Sequence, residues 1–196
     1  MLLFIVTSCG TLINPRYVKL SNKNQERLKP DLLNSTKEFY EFYEDKNDHE
    51  QLIADANGIR DIVQHSKYDL SLVVFYAFYC GPCRAQMPSL DQLHRNNDDK
   101  IQLLYISTAD WANLKEDLNY LKKSNVHASA SLGVDIYKYG TEFRQVNRLY
   151  SLAKDLGLDA VQTLGFPTYI LVNRSFEVLY FSHSISDTDF QELINL

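Results

Sequence analysis

The sequence has few cysteines and histidines, the residues on which disulfide frameworks and many metal sites depend. It contains three cysteines, at positions 9, 80 and 83, which are too few for a disulfide framework or for a zinc site made of cysteines alone. Its five histidines lack the paired spacings of metal hydrolases, so we expect no metal. There is no glycine-rich phosphate loop. The net charge of -5 offers no basic surface, so nucleic acid is not an expected partner.

The sequence does contain enough apolar material for a sizeable core. Of its 196 residues, 45% are hydrophobic, and 13 Tyr and 10 Phe argue against disorder. That length predicts one domain with an appendage. No apolar run approaches the roughly 18 residues that a membrane-spanning helix needs.

The first residues resemble the lipobox of bacterial lipoproteins. A short apolar run over 2–6 is followed by Thr7, Ser8 and Cys9, so the resemblance implies a lipid-modified Cys9 that anchors the chain to a membrane, facing the periplasm. The run is shorter than usual and no basic residue precedes it, and the alternative is a buried first strand. Residues 14–34 are polar. We therefore divide off 1–34 as a lipoprotein-type signal and a tether.

Two helical patterns come next and predict an N-terminal helical extension over 35–66. Apolar residues recur at helical spacing in both of them. These residues are Phe39, Phe42 and Tyr43 in the first pattern, and Leu52, Ile53, Ala56, Ile59, Ile62 and Val63 in the second.

Strand and helix patterns alternate from residue 67 to the end. A continuous apolar run at 72–78 and another at 101–106 are typical of strands buried on both faces, and a helical pattern follows each of them. This order predicts parallel strands joined by crossovers, in an α/β domain over 67–196. Later patterns predict a helix from Phe143 to Leu156, an antiparallel hairpin over 168–172 and 176–181, and a closing helix over 187–196.

The cysteines at 80 and 83 lie where a buried strand ends and a helix begins. The positive end of a helix stabilises a thiolate and lowers the pKa of a thiol placed there, and the thiolate is the form that attacks disulfides. A spacing of three residues puts both sulfurs on the first helical turn. Pro82 suits an early helical position because its missing N–H would have no partner there, and Gly81 keeps the approach to the sulfur open.

The order of strand, cysteine pair, helix and a late proline before a hairpin resembles the thioredoxin superfamily, in particular its TlpA-like, membrane-tethered thiol–disulfide oxidoreductases. The residues that carry the resemblance are Phe75-Tyr76-Ala77-Phe78-Tyr79-Cys80-Gly81-Pro82-Cys83 and Gly165-Phe166-Pro167-Thr168. The resemblance implies a three-layer α/β/α fold with a central mixed sheet and no cofactor.

The same resemblance implies a role for each site residue. Cys80 would be the exposed nucleophile and the more buried Cys83 would resolve the mixed disulfide. Pro167 would be a cis-proline against the pair, leaving the Phe166 backbone free to bind an extended substrate. The expected substrate-binding residues are Tyr79, Gly81, Pro82, Phe166 and Pro167.

The sequence departs from the family pattern at three places. Tyr79 replaces the usual Trp before the first cysteine, and Val74 stands where thioredoxins have a buried acid. Extra residues near 125–148 are expected to form an added element near the site.

The sequence thus predicts a periplasmic dithiol reductase, because Gly-Pro between the cysteines resembles reducing members. Its partners would be disulfide-containing proteins and a membrane or thioredoxin-type electron donor. Two alternatives stay open: a peroxiredoxin-like peroxidase, and a thioredoxin-fold interaction or chaperone module whose disulfide is structural. The first needs a lone peroxidatic cysteine, and the second gains little stability from so small a loop.

Overall fold

The computed structural model describes residues 31–32, 52–97, 100–124, 126, 130–140, 145–158 and 164–193. The strands among these residues are β1 (Asp31–Leu32), β2 (Leu52–Ala54), β3 (Leu70–Tyr76), β4 (Ile101–Ser107), β5 (Ala130–Val134), β6 (Thr168–Asn173) and β7 (Val178–Ser182). The helices are α1 (Ala56–Gln64), α2 (Gly81–Arg95), α3 (Trp111–Lys123), α4 (Ile136–Tyr139), α5 (Gln145–Asp155) and α6 (Asp187–Leu193). None of these helices is both long and apolar enough to cross a bilayer.

The strands form one mixed sheet in the order β1-β2-β5-β4-β3-β6-β7. The five strands from β1 to β3 in that order are parallel, and β6 and β7 are added antiparallel. The hairpin predicted at the end of the chain is therefore present. Strand β3 lies between β4 and β6, so its carboxyl end, which leads into the cysteines, lies near the middle of the sheet.

Both faces of the sheet are covered, and this explains the continuous apolar runs. In β3, Val73 and Phe75 pack on the face covered by α1 and α5, whereas Leu72, Val74 and Tyr76 pack on the face covered by α2. Each fully buried aliphatic side chain of this kind contributes about 1.5–3 kcal/mol. The predicted three-layer α/β/α fold is confirmed.

The predicted elements from β3 onward are present with small shifts at their ends, but the sequence pattern failed at three strands. The first is β1: Asp31 and Leu32, which the sequence placed in the polar tether, pair with β2 in the sheet, so the tether prediction is wrong for these two residues. Leu52 and Ile53, which the pattern placed on a helix, lie in β2, and the helix α1 begins only at Ala56. Because β2 pairs with β5, and α1 packs against the sheet, residues 52–64 are part of the folded domain.

The third missed strand is β5, in the stretch near 125–148 that was expected to be an added element. Its described residues include β5 itself, which lies inside the sheet between β2 and β4. Three predicted segments lie outside the described part of the chain. They are residues 1–30, the predicted helix with Phe39, Phe42 and Tyr43, and the last three residues of the predicted closing helix.

Candidate functional site

A short turn connects β3 to the first cysteine. The amide of Cys80 donates a hydrogen bond to the carbonyl oxygen of Ala77 at 3.0 Å, which closes the turn over 77–80. Cys80 has extended backbone angles and caps α2, which begins at Gly81, with Pro82 in its first turn. The structure therefore places Cys80 at the positive end of a 15-residue helix, as the sequence predicted.

Cys80 and Cys83 are joined by a disulfide, with their Cα atoms 5.3 Å apart. The amide of Cys83 lies 3.2 Å from the Sγ of Cys80, so a first-turn N–H group points at the sulfur that would carry the thiolate. Both residues are only 1% exposed. The expected contrast, an exposed Cys80 above a buried Cys83, is therefore absent from this oxidised form.

The second motif lies directly against the disulfide. The Phe166–Pro167 peptide bond is cis, and the carbonyl oxygen of Phe166 lies 3.2 Å from the Sγ of Cys80, although the two residues are 86 positions apart. Once the disulfide is reduced, the Cys80 thiol has an acceptor at this position. The Phe166 backbone was expected to be free for a substrate, but its carbonyl already faces the sulfur.

Side chains hold the other two carbonyls of this loop. The hydroxyl of Thr168 donates to the carbonyl oxygen of Gly165 at 2.7 Å. The Nδ1 of His183 lies 2.9 Å from the carbonyl oxygen of Pro167, so the proton of that contact is on Nδ1. The sequence gives His183 no role, and nothing in the local pattern indicates this contact, which depends on the hairpin register.

The expected substrate-binding residues lie around the disulfide. Tyr79 and Phe166 are half-buried and pack against the apolar cluster that includes both cysteines, whereas Gly81 and Pro82 are exposed. Pro167 is buried. Two aromatic side chains thus pack beside the pair, next to an exposed helix start. Cys9, the remaining predicted site residue, lies outside the described residues.

Two tyrosines flank the position where the buried acid of thioredoxins is missing. The register places Val74 opposite Tyr105 on β4 and opposite Tyr169 on β6. Burial raises the pKa of both phenols, so both stay protonated at neutral pH. The Tyr169 hydroxyl donates to the Oε1 of Gln86, on the helix that carries the cysteines. Sequence reasoning missed both tyrosines.

Residues 50–121 match the family model for thioredoxin. Over these residues the chain is similar to thioredoxin. The expected superfamily is confirmed by this match, and the disulfide at the start of α2 agrees with the expected enzyme class, the thiol–disulfide oxidoreductases. The match begins at residue 50, so β2 and α1 belong to the stretch that the family model recognises.

The solved structures to which the chain is similar are distant from it in sequence. A thiol:disulfide interchange protein of the thioredoxin family from Chlorobium tepidum is 19% identical, with a TM-score of 0.48, over 65% of this chain and 78% of that one. The thioredoxin domain of a thiol-disulfide oxidoreductase from Bacteroides vulgatus is 15% identical, with a TM-score of 0.49, over 66% and 79%. A DsbF homologue from Corynebacterium diphtheriae is 16% identical, with a TM-score of 0.49, over 65% and 71%. A search of curated proteins finds no significant match.

Proposed function

We propose that this thioredoxin domain exchanges the Cys80–Cys83 dithiol and disulfide with protein substrates, acting as a reductase. The observation that carries the proposal is the position of the disulfide, at the amino end of α2 and 3.2 Å from the Phe166 carbonyl. A helix start stabilises the attacking thiolate, and the adjacent cis-proline loop offers backbone groups to an extended segment of the substrate.

The proposed reaction transfers two electrons from the dithiol to the substrate. The Cys80 thiolate attacks one sulfur of the substrate disulfide, which breaks, and the other substrate sulfur leaves and takes up a proton. Cys83 then loses its proton and attacks the Sγ of Cys80, which releases the second substrate thiol. The disulfide described above is the product of this cycle. A membrane-bound or thioredoxin-type dithiol donor must return the two electrons.

The proposed location is the periplasm, with a lipid on Cys9 as the anchor. The support is the short apolar run followed by two small residues and a cysteine, together with the polar sequence between residue 14 and the start of β1 at Asp31. An oxidising compartment is also where protein disulfides persist and a dedicated reductase has substrates.

Insulin reduction by the full chain tests the activity. We expect turnover with dithiothreitol as donor, and its complete loss in Cys80→Ser. Cys83→Ser should accumulate mixed disulfides, because Cys80 still attacks and nothing resolves the product. The control, Cys9→Ser, should retain full activity but move from the membrane fraction to the soluble fraction. A wild-type protein with two free thiols and no insulin reduction would overturn the proposed activity.

The burial of both cysteines favours one alternative, an interaction module whose disulfide is structural. At 1% exposure each, the sulfurs are covered in the oxidised form. Under that alternative the bond would resist millimolar dithiothreitol in the folded protein, whereas our proposal requires its rapid reduction. The rate at which thiols appear under native conditions separates the two functions.

A further inference from the structure

Asp117 is a buried acidic residue that the exchange chemistry leaves unused. It lies in the middle of α3 and is 0% exposed. A carboxylate is rarely buried to this extent unless hydrogen-bond donors surround it, because the loss of hydration is costly. The identity of its donors therefore indicates why it is there.

Two of its donors come from the carboxyl ends of the two central parallel strands. The amide of Phe78, just after β3, donates to Oδ1 of Asp117 at 3.0 Å. The hydroxyl of Ser107, the last residue of β4, donates to Oδ2. The Oγ of Ser107 also accepts a hydrogen bond from the amide of Ala109 at 3.1 Å. One carboxylate thus ties α3 to the ends of β3 and β4.

The Phe78 amide belongs to the turn that presents the first cysteine. The hydrogen bond from the Cys80 amide to the Ala77 carbonyl closes that turn. This bond does not involve the Phe78 amide, which therefore needs a partner outside the turn. Asp117 is that partner. Directly after the turn, the amides of Cys83 and Arg84 point back to the Sγ and the carbonyl oxygen of Cys80. The position of Cys80 on α2 therefore depends on a turn that Asp117 holds.

We propose that Asp117 is a positioning residue for the thiol–disulfide exchange: it fixes the turn over 77–80, so that the sulfur of Cys80 stays at the helix start and beside the Phe166 carbonyl. This inference rests on the proposed function. Asp117 acts through the backbone of Phe78 and takes no part in the electron transfer. The hydrogen-bond acceptor is what matters, so a neutral side chain with an oxygen at the same place should suffice.

Two variants that both branch at Cγ separate the acceptor from the rest of the side chain. Asp117→Asn keeps an oxygen for the Phe78 amide, whereas Asp117→Leu removes it. The measurement is the rate at which the reduced full chain attacks 5,5′-dithiobis(2-nitrobenzoate), followed from pH 4 to 10. We expect Asp117→Asn to react within about twofold of wild type, and Asp117→Leu about tenfold more slowly, the effect of one lost hydrogen bond. The midpoint of its pH profile should also move upward, because the thiolate loses its helix start.

The matched control is a buried polar contact at the other end of the same strands. The Ser71 hydroxyl donates to the Oε1 of Gln102 at 2.9 Å, between β3 and β4. Ser71→Ala should lower stability to urea but leave the rate and the pH midpoint unchanged. If Asp117→Leu behaves in the same way, Asp117 is merely structural and the inference fails. It also fails if Asp117→Asn is as slow as Asp117→Leu.

A third measurement decides the matter if Asp117→Leu does not fold. In the native protein, the Phe78 amide should exchange with solvent at least about a hundredfold more slowly than an exposed turn amide, because it is held by a buried acceptor. Fast exchange in the folded wild type would overturn the inference. A wild type without any exchange activity would instead refute the proposed function, which keeps the two failures distinct.

Discussion

The two ends of β3 and β4 bury polar groups in different ways. At the amino end, Ser71 and Gln102 are register partners on strands that the backbone ladder already joins, and their side chains hydrogen-bond to each other across that pair of strands. At the carboxyl end, the hydroxyl of Ser107 and the amide of Phe78 meet on Asp117, which belongs to a helix. The contact at the amino end joins two strands that are already paired, whereas the contact at the carboxyl end joins these strands to a helix, α3.

The difference follows from the direction of parallel strands. Their carboxyl ends lead into turns and helix starts, whose amides have no partners within regular structure. A side chain that supplies acceptors there determines where the next helix begins, and in this domain that helix carries the cysteines. Because the polar groups at the two ends are comparably buried, substitutions at either end should lower the free energy of unfolding by similar amounts. Their effects on the rate of thiol–disulfide exchange should be very different.

The largest effect should come from displacing α3 from the carboxyl end. Gly133 on β5 pairs with Ser107, and a Cβ atom at this glycine would collide with the side chain of Leu114 on α3. Gly133→Val should lower the free energy of unfolding by about 2–3 kcal/mol, through overpacking. It should also slow exchange, because α3 carries Asp117. Urea unfolding and the insulin assay on the same sample measure both, and Gly133→Ala should lie between wild type and Val. Unchanged stability in Gly133→Val would contradict the packing of α3 described here.

A smaller effect should come from the proline loop. Thr168 pairs with Phe75 near the carboxyl end of β3, and its hydroxyl donates to the Gly165 carbonyl. Thr168→Val should cost about 1 kcal/mol of stability, since the partly buried carbonyl loses its donor. The KM for a disulfide-containing protein should rise more than kcat falls if, as we propose, this loop binds the extended substrate. Thr168→Ser, which keeps the hydroxyl, should restore both quantities, and a KM equal to that of wild type in the Val variant would argue against substrate binding by this loop.

The sequence predicted the elements that depend on local pattern. Strands β3 and β4 are continuous apolar runs, and the cysteine pair follows the first of them where a helix starts. Strand β2 is only three residues long, and its apolar residues are also in phase with the helix that follows, so periodicity assigned them to that helix. Strand β5 contains Ser131 and Gly133, and the need for glycine there comes from a side chain of α3, which no local pattern reveals.

The buried acid did leave a signal in the sequence. Asp117 falls in phase with Leu114, Leu118 and Leu121, the positions that define the buried side of α3, and a charged residue among them indicates a buried partner. The partner itself could not be predicted, because the Phe78 amide is 39 residues away and reaches Asp117 only through the sheet topology. The contact of His183 with the Pro167 carbonyl is a similar case.

The smallest effect at neutral pH should come from Tyr105, midway between the two ends of β4. Its hydroxyl is buried without a hydrogen-bond partner among the described residues, so Tyr105→Phe should be neutral or stabilising by about 1 kcal/mol at pH 7. Burial raises the pKa of the Tyr105 phenol above its unfolded value of about 10. The contribution of this difference to the free energy of unfolding is therefore fully present below about pH 10 and is lost as the pH rises further. In Tyr105→Phe the alkaline loss of unfolding free energy should therefore be shallower, by about 1.4 kcal/mol per pH unit. Tyr137→Phe, at a tyrosine that is 41% exposed, is the control with an unchanged slope, and equal slopes in both variants would mean that the Tyr105 hydroxyl reaches solvent.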